Sequence, residues 1–162
     1  MCSSDLERLE GIDLNRNYPF QWGSLGEKGS RSRPTSVYYR GASASSEPEV
    51  KAMVALSERE QFSAAISYHT GTVAILAPYT IPGVENPGIN EAWAVAEEMV
   101  AIMPMHAQDR EFTLKKNLYP GDGTDQDWHR FANGTVALLV EGARTTPRTA
   151  RKRRRVLEKI GR

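Results

Sequence analysis

The amino-acid sequence predicts an α/β fold, with helices layered on a β-sheet. Two observations lead to this class: apolar runs of strand length alternate with helical patterns, and turn-forming Pro, Gly and Asn residues separate them. The chain has 162 residues, of which 40% are hydrophobic and 25% are charged. That length and composition are typical of one globular domain with room for a hydrophobic core.

The first predicted helix follows a long polar loop. Residues 24–40 are rich in Gly, Ser and Arg and predict a surface loop. Ser46 and Glu49 then have the spacing of a capping box, and Pro48 suits the first helical turn. Because apolar residues follow at helical spacing, we expect a helix from about residue 47 to residue 59.

Three apolar runs predict strands, and two further helices are predicted among them. Residues 62–68 and 73–79 predict two buried strands, and residues 135–140 predict a third. Asn90 can cap a helix whose apolar stripe consists of Ala92, Trp93, Ala96, Met99, Val100 and Met103. Residues 125–134 predict a short helix closed by an Asn-Gly pair.

The segment EGIDLNRNYPFQWG, residues 10–23, combines amides, a guanidinium group and aromatic rings. Asn15, Arg16 and Asn17 are adjacent and stand directly before an aromatic run. Burying such polar groups beside aromatic rings is costly unless something pairs with them. Since the planar fork of arginine can hold a carboxylate at two points, this segment predicts a carboxylate-binding site.

Two polar residues stand at the ends of predicted strands. His69 follows one apolar run, and Glu141 follows another. Ligands bind at the carboxyl ends of strands in open α/β sheets, where a neutral histidine can bind a metal and a carboxylate can act as a general base. A lone histidine in this position is more often a hydrogen-bonded structural residue, and a glutamate after a buried strand is often just the first exposed position. Spacing alone leaves both interpretations open.

Taken together, these segments resemble the zinc metallocarboxypeptidases of the carboxypeptidase A and B type. The resemblance covers roughly residues 10 to 145, and the matching pieces fall in the family's order. They are Gly-Ile-Asp-Leu-Asn-Arg-Asn-Tyr-Pro (11–19), Ser-Glu-Pro-Glu (46–49), Ser-Tyr-His-Thr (67–70) with Ala-Pro-Tyr (77–79), Leu-Tyr-Pro-Gly (118–121), and Asp-Trp (127–128) followed by Leu-Val-Glu (139–141).

The resemblance implies a three-layer fold, a mixed β-sheet flanked by helices, and a role for six residues. Its implied zinc ligand is His69, its catalytic base is Glu141, and its substrate-binding residues are Asn15, Arg16, Tyr119 and Gln126. The implied cofactor is one zinc ion, and the implied partner is a peptide with a free C-terminal carboxylate. In the family, the residue at the position of Gln126 helps to form the pocket for the terminal side chain. A neutral amide at this position does not indicate a particular specificity.

The sequence departs from the family's pattern at the metal site. The family's other two zinc ligands come from a His-x-x-Glu pair before the Asn-Arg segment, and the residues before Gly11 contain no histidine. His106 and His129 have no glutamate three residues later, so we interpret both as surface or structural residues. We therefore expect a truncated piece with an incomplete sheet, which is inactive alone and binds zinc weakly or not at all. The alternative is a non-catalytic relative that binds peptide ends.

The two ends of the chain have separate predictions. Residues 2–6 match the translation of a common sequencing-adapter end, so residues 1–9 are predicted to be a non-native or disordered start. The carboxypeptidase-like part spans residues 10–145, and residues 146–162 predict a basic terminal helix. Residues 144–162 contain nine Lys/Arg and a single acidic residue, Glu158. This positive charge also suits a nucleic-acid partner, but we rank nucleic-acid binding last among the functions because no aromatic stacking platform accompanies the charges. No run is apolar and long enough for a membrane span, and the single cysteine leaves the compartment open.

Overall fold

The computed structural model describes residues 11–103 and 111–142. The predictions for residues 1–9, His106 and residues 146–162 lie outside the described residues. No helix in the described ranges is long and apolar enough to cross a membrane.

Strands and helices alternate along the described chain, as the sequence predicts. The helices are α1 (Pro48–Glu60), α2 (Glu91–Ile102) and α3 (Asp125–Asn133), and the strands are β1 (Ala64–His69), β2 (Val73–Leu76), β3 (Thr113–Lys115) and β4 (Val136–Gly142). Two short 3-10 helices, Leu14–Arg16 and Gly26–Lys28, lie within the long N-terminal loops. The sequence patterns missed strand β3 and both 3-10 helices.

The four strands form one mixed sheet in the order β1-β4-β2-β3. Strand β1 pairs parallel with β4, β4 pairs antiparallel with β2, and β2 pairs parallel with β3. This confirms the predicted α/β class with a mixed sheet flanked by helices. Because β1 and β4 are parallel neighbours, their carboxyl ends meet, and His69 is the register partner of Glu141.

The main core lies between helix α2 and the sheet. Its buried members are Ile75, Ala77, Ala92, Ala96, Leu138 and Val140. The predicted stripe of α2 is confirmed, because its larger residues pack partly buried against this cluster. The predicted cap is confirmed as well, since the Asn90 side chain accepts a hydrogen bond of 3.2 Å from the backbone N–H of Trp93.

A second cluster explains the aromatic run of the segment 10–23. Tyr18 packs with Val50 of α1 and Trp128 of α3, and Phe20 lies against the same group. The rings of Tyr18 and Trp128 have centroids 5.7 Å apart. The apolar half of the segment therefore fixes the loop to two helices, and this contact holds the polar triplet in place.

Two predictions about the first helix and strand were wrong. Strand β1 was predicted to be buried, but it lies at the edge of the described sheet, where Ile66 is 45% exposed and Tyr68 is 76% exposed. The capping box was also wrong. The cap residue is Glu47, and the Ser46 hydroxyl instead donates to Glu47 Oε1 and accepts from Asn17 Nδ2. A tertiary contact has replaced the local one.

His129 is a buried structural residue of α3, which agrees with one of the two roles expected for it. Its Nδ1 lies 3.1 Å from the hydroxyl of Ser57 on α1, and its ring lies against Trp128. Burial lowers the pKa of His129 below its usual value of 6.5, and the charge of Asp125 acts in the opposite direction. The folded chain therefore keeps this imidazole neutral to lower pH than the unfolded chain does.

We expect His129 to lower the free energy of unfolding in mild acid. As pH falls below 6.5, the unfolded chain takes up a proton at His129 that the folded chain resists, so the free energy of unfolding decreases. Urea unfolding at about pH 7.5 and about pH 5.5 should show a smaller pH-dependent loss for His129→Gln than for the unsubstituted chain.

The matched control is Ser57→Ala, which removes the hydrogen bond but keeps the imidazole. It should lower stability at both pH values and retain the full pH dependence. An unchanged pH dependence in His129→Gln would show that this residue titrates normally in the folded chain.

Candidate active site

The first 3-10 helix presents Asn15 with a fixed orientation. The Asp13 side chain accepts a hydrogen bond of 3.1 Å from the backbone N–H of Asn15 and so caps the turn. The Asn15 Oδ1 accepts a hydrogen bond of 2.8 Å from the backbone N–H of Asp125, at the start of α3. Because the amide oxygen is used in this way, the Nδ2 group of Asn15 is the part that can donate to a ligand.

Arg16 is an almost completely buried cation, with 4% of its surface exposed. Its Nη1 donates to the backbone carbonyl of Asn15, and its Nη2 donates to the Tyr119 hydroxyl at 3.3 Å. Its Nε has no hydrogen-bond partner in the described ranges, and the nearest carboxylate oxygen, on Asp13, is 3.9 Å away. A buried guanidinium with unused donors is suited to a ligand that carries negative charge.

Asn17, the third residue of the polar triplet, has a structural role. It is fully buried, and its Nδ2 donates to the carbonyls of Arg40 at 2.8 Å and Ser43 at 3.0 Å. Its Oδ1 accepts a hydrogen bond from the backbone N–H of Glu47. Within the triplet, Asn17 therefore stabilises the loop, whereas Asn15 and Arg16 line a cavity.

His69 and Glu141 lie side by side at the ends of β1 and β4. The His69 Nε2 is 3.2 Å from the Ser67 hydroxyl. Glu141 is 7% exposed, and its Oε2 has no hydrogen-bond partner in the part of the chain that the structure describes. Burial raises the pKa of Glu141, while the nearby His69 and the backbone N–H of Thr72 lower it. A buried carboxylate with a raised pKa is a stronger base than an exposed one.

Gln126 and Asp127 connect helix α3 to the chain that follows β2. Asp127 accepts hydrogen bonds from the backbone N–H groups of Thr80 at 2.8 Å and Ile81 at 3.1 Å, and from the Thr80 hydroxyl at 2.9 Å. Gln126 Nε2 in turn donates to the Thr80 hydroxyl oxygen at 2.9 Å. Thr80 was not predicted, because its partners lie 46 and 47 positions away and no local pattern marks it.

One cavity of about 100 Å³ brings all six predicted site residues together. Its wall includes Asn15, Arg16, His69, Tyr119, Gln126 and Glu141. Three leucines, Leu76, Leu118 and Leu139, line it as well and were not predicted. Asp13 was also missed, although an Asp two residues before Asn15 is a sequence signal for a capped turn. The arrangement can hold a carboxylate near a buried base.

Gly123 allows the loop before α3 to approach Arg16. It has φ +65°, and a Cβ atom there would lie 2.6 Å from the Arg16 carbonyl oxygen and 3.2 Å from that of Tyr18. The Gly123 carbonyl also accepts a hydrogen bond of 3.0 Å from the backbone N–H of Tyr18. Only glycine fits this contact, which sets the position of Arg16 relative to α3.

We expect Gly123→Ala to destabilise the fold by about 2 kcal/mol, because the substitution combines an unfavourable φ with a steric clash. Gly134→Ala is the matched control, since Gly134 has φ +66° and no atom within 4 Å of the added Cβ. Urea unfolding of both variants separates the two effects. Equal losses of stability in the two variants would mean that the close approach to Arg16 is easily relieved.

The model of the zinc carboxypeptidase family matches residues 3–150 of this chain. The chain belongs to the zinc carboxypeptidase family. Carboxypeptidase A5 of Macaca fascicularis is 34% identical over 123 residues, and carboxypeptidase B2 of Mus musculus is 32% identical over 126 residues. These matches cover 73% and 75% of this chain but only 27% and 29% of the two relatives.

Solved structures show the same relationship. Bovine thrombin-activatable fibrinolysis inhibitor, in complex with tick carboxypeptidase inhibitor, matches with a TM-score of 0.69 and 30% identity over 81% of this chain and 45% of that one. Carboxypeptidase A from Helicoverpa armigera matches with the same TM-score at 19% identity, which supports the fold. This chain thus spans less than half the length of each of these structures.

The family's name implies zinc, and the described residues of this chain do not make up a complete zinc site. A catalytic zinc ion needs three protein ligands. Within residues 11–103 and 111–142, no three His, Cys, Asp or Glu side chains come close enough to hold a metal ion. The described part of the chain therefore has a cavity lined by the predicted site residues, without a full set of metal ligands.

Proposed function

We propose that this chain binds the C-terminal carboxylate of a peptide and forms part of a zinc carboxypeptidase that releases C-terminal residues. The single observation that carries the proposal is the cavity lined by both Arg16, a nearly buried cation, and the carboxylate Glu141. Within it, each group has a distinct task.

Asn15, Arg16 and Tyr119 would hold the terminal carboxylate. Arg16 supplies the positive charge and has an unused Nε donor, and Asn15 can donate from Nδ2. Tyr119 is 53% exposed and already touches Arg16 through its hydroxyl, so its side chain can move with little cost when a ligand enters. Charge-assisted hydrogen bonds to a carboxylate in a site shielded from water are strong enough to fix one end of a peptide.

Glu141 would act as the general base for hydrolysis of the last peptide bond. Its raised pKa allows it to take a proton from a water molecule as the water oxygen attacks the carbonyl carbon. Glu141 then gives this proton to the nitrogen of the leaving amino acid when the carbon–nitrogen bond breaks. Fixing the terminal carboxylate at Arg16 places only this bond beside the base.

His69, the register partner of Glu141 on the neighbouring strand, would contribute one ligand to the zinc ion of the complete enzyme. Two further ligands would have to come from outside the described residues. We therefore expect the purified chain to bind zinc weakly and to show no turnover of a peptide substrate. Equilibrium dialysis with zinc and a turnover assay with zinc present check both points. Full turnover would contradict this expectation.

The proposed binding of a terminal carboxylate can be tested without an activity assay. A short peptide and the same peptide with an amidated C-terminus should be titrated into the isotope-labelled chain and followed by NMR. We expect the free acid to shift the signals of residues around Arg16 and the amide to leave them unchanged. Equal binding of the two peptides would show that the cavity does not recognise a terminal carboxylate.

A non-catalytic peptide-binding protein is the second candidate. The described residues bring the carboxylate-binding groups together but no cluster of three metal ligands, which favours binding without hydrolysis. Sequencing the source DNA on the 5′ side of codon 11 separates the two candidates. A His-x-x-Glu pair in the same reading frame supports the enzyme, and a frame without such a pair supports the binding protein.

A further inference from the structure

Gln126, in the wall of the cavity, ends in a buried amide oxygen that receives no hydrogen bond from the described chain. Gln126 is 3% exposed and lines the cavity, and its Oε1 has no hydrogen-bond partner in residues 11–103 and 111–142. A buried amide oxygen without a donor is unfavourable, so a ligand that brings a donor to this atom gains affinity.

The hydrogen-bond chain behind Gln126 decides which way its amide points. The Thr80 hydroxyl donates to the Asp127 carboxylate, so its oxygen is left to accept. This Thr80 oxygen accepts a hydrogen bond of 2.9 Å from the Nε2 group of Gln126. Because this contact fixes the NH₂ group against Thr80, the Oε1 atom is the one left over. Gln126 therefore offers an acceptor whose orientation is determined by Asp127.

The carboxylates near Gln126 do not provide a counter-charge for a basic ligand at this point. Asp127 already accepts three hydrogen bonds from Thr80 and Ile81. Asp125 and Gln126 both line a neighbouring cavity, but Asp125 does not line this one. Glu141 is the proposed base, and Asp13 lies beside Arg16. The remaining walls include the three leucines named above. The surroundings suit an apolar stem that ends in a neutral donor.

We infer that the terminal residue this site prefers carries a neutral hydrogen-bond donor, with a carboxamide side chain such as that of glutamine as the best fit. This inference rests on the proposed grip of the terminal carboxylate by Asn15 and Arg16. The carboxamide NH₂ would donate to Gln126 Oε1. A glutamate side chain has the same shape but brings acceptors and charge, methionine brings no donor, and lysine brings a charge that would lose its water.

Four N-acetyl amino acids of similar length test the inference: those of glutamine, glutamate, methionine and lysine. Each is titrated into the complete 162-residue chain and followed by NMR, with the side-chain NH₂ signal of Gln126 as a direct reporter. We expect the glutamine compound to bind about tenfold more tightly than the other three, as one hydrogen bond to a buried acceptor allows. Its binding should also shift the Gln126 NH₂ signal.

Gln126→Met keeps the length of the side chain and removes the acceptor, so the preference should change from glutamine to methionine. Gln126→Glu introduces a negative charge and should shift the preference toward lysine, which gives a second readout if the first variant is unstable. The inference is overturned if the unsubstituted chain binds all four compounds with equal affinity, or if it binds the lysine or methionine compound most tightly. Either result leaves the proposed binding of the terminal carboxylate intact. Binding of none of them overturns the grip, and the inference with it.

Discussion

Replacing Arg16 with alanine is expected to weaken binding of a peptide with a free C-terminus about 100-fold, or by about 3 kcal/mol. Arg16 is nearly buried, and its guanidinium supplies the positive charge of the proposed carboxylate-binding site. Its loss would leave the ligand's carboxylate out of water without a counter-charge, which costs more than the loss of one surface ion pair. The measurement is the dissociation constant of the free-acid peptide, obtained by NMR titration.

Two further variants make this result specific. Arg16→Lys keeps the charge but loses the planar fork, and it should bind with intermediate affinity. Arg59→Ala also removes one positive charge, but from an exposed pair with Glu60, and it should leave binding unchanged. If Arg16→Ala bound the peptide as tightly as the unsubstituted chain, the carboxylate would have to bind elsewhere.

Asp127→Ala is expected to destabilise the fold by about 4 kcal/mol, because it leaves buried donors without an acceptor. The side chain of Asp127 is 2% exposed in the native chain and accepts from two backbone N–H groups, those of Thr80 and Ile81, and from the Thr80 hydroxyl. These contacts join the segment after β2 to helix α3. Urea unfolding followed by circular dichroism gives the change in the free energy of unfolding.

Asp127→Asn should lose less stability, since the amide keeps one acceptor oxygen for the backbone of Thr80. Glu85→Ala is the control for removing a carboxylate from the surface, where Glu85 pairs with Lys116, and it should change stability by less than about 1 kcal/mol. A loss for Asp127→Ala no larger than that for Glu85→Ala would contradict the structural role assigned here.

Local patterns predicted the elements whose determinants lie close together in sequence. Helix α2 is an example, since the cap Asn90 and the apolar stripe that follows it decide both its start and its buried face. Strand β4 is apolar from Val136 to Val140 and is buried along nearly all of its length. Such signals depend only on backbone geometry and side-chain size, so they are readable from a few adjacent residues.

The errors arose where a distant residue decides the outcome. The apolar run of β1 predicts burial, but its exposure depends on which strands lie beside it, and β4 covers only one edge in the described sheet. Ser46 has the right local spacing for a cap, but the buried amide of Asn17 engages its hydroxyl instead. The same holds for the site, where Thr80 gains its role only through contact with Gln126 and Asp127.

The sequence distances across the site also bear on how the protein is made. The hydrogen bond between Asn15 and Asp125 joins residues 110 positions apart, and that between Arg16 and Tyr119 joins residues 103 positions apart. A ribosome synthesises residues 15 and 16 long before their partners, and closing so long a loop is entropically costly. The proposed carboxylate-binding site is therefore completed late in biosynthesis. A nascent chain halted before residue 119 would lack Tyr119 and Asp125, and with them two of the contacts that position Asn15 and Arg16.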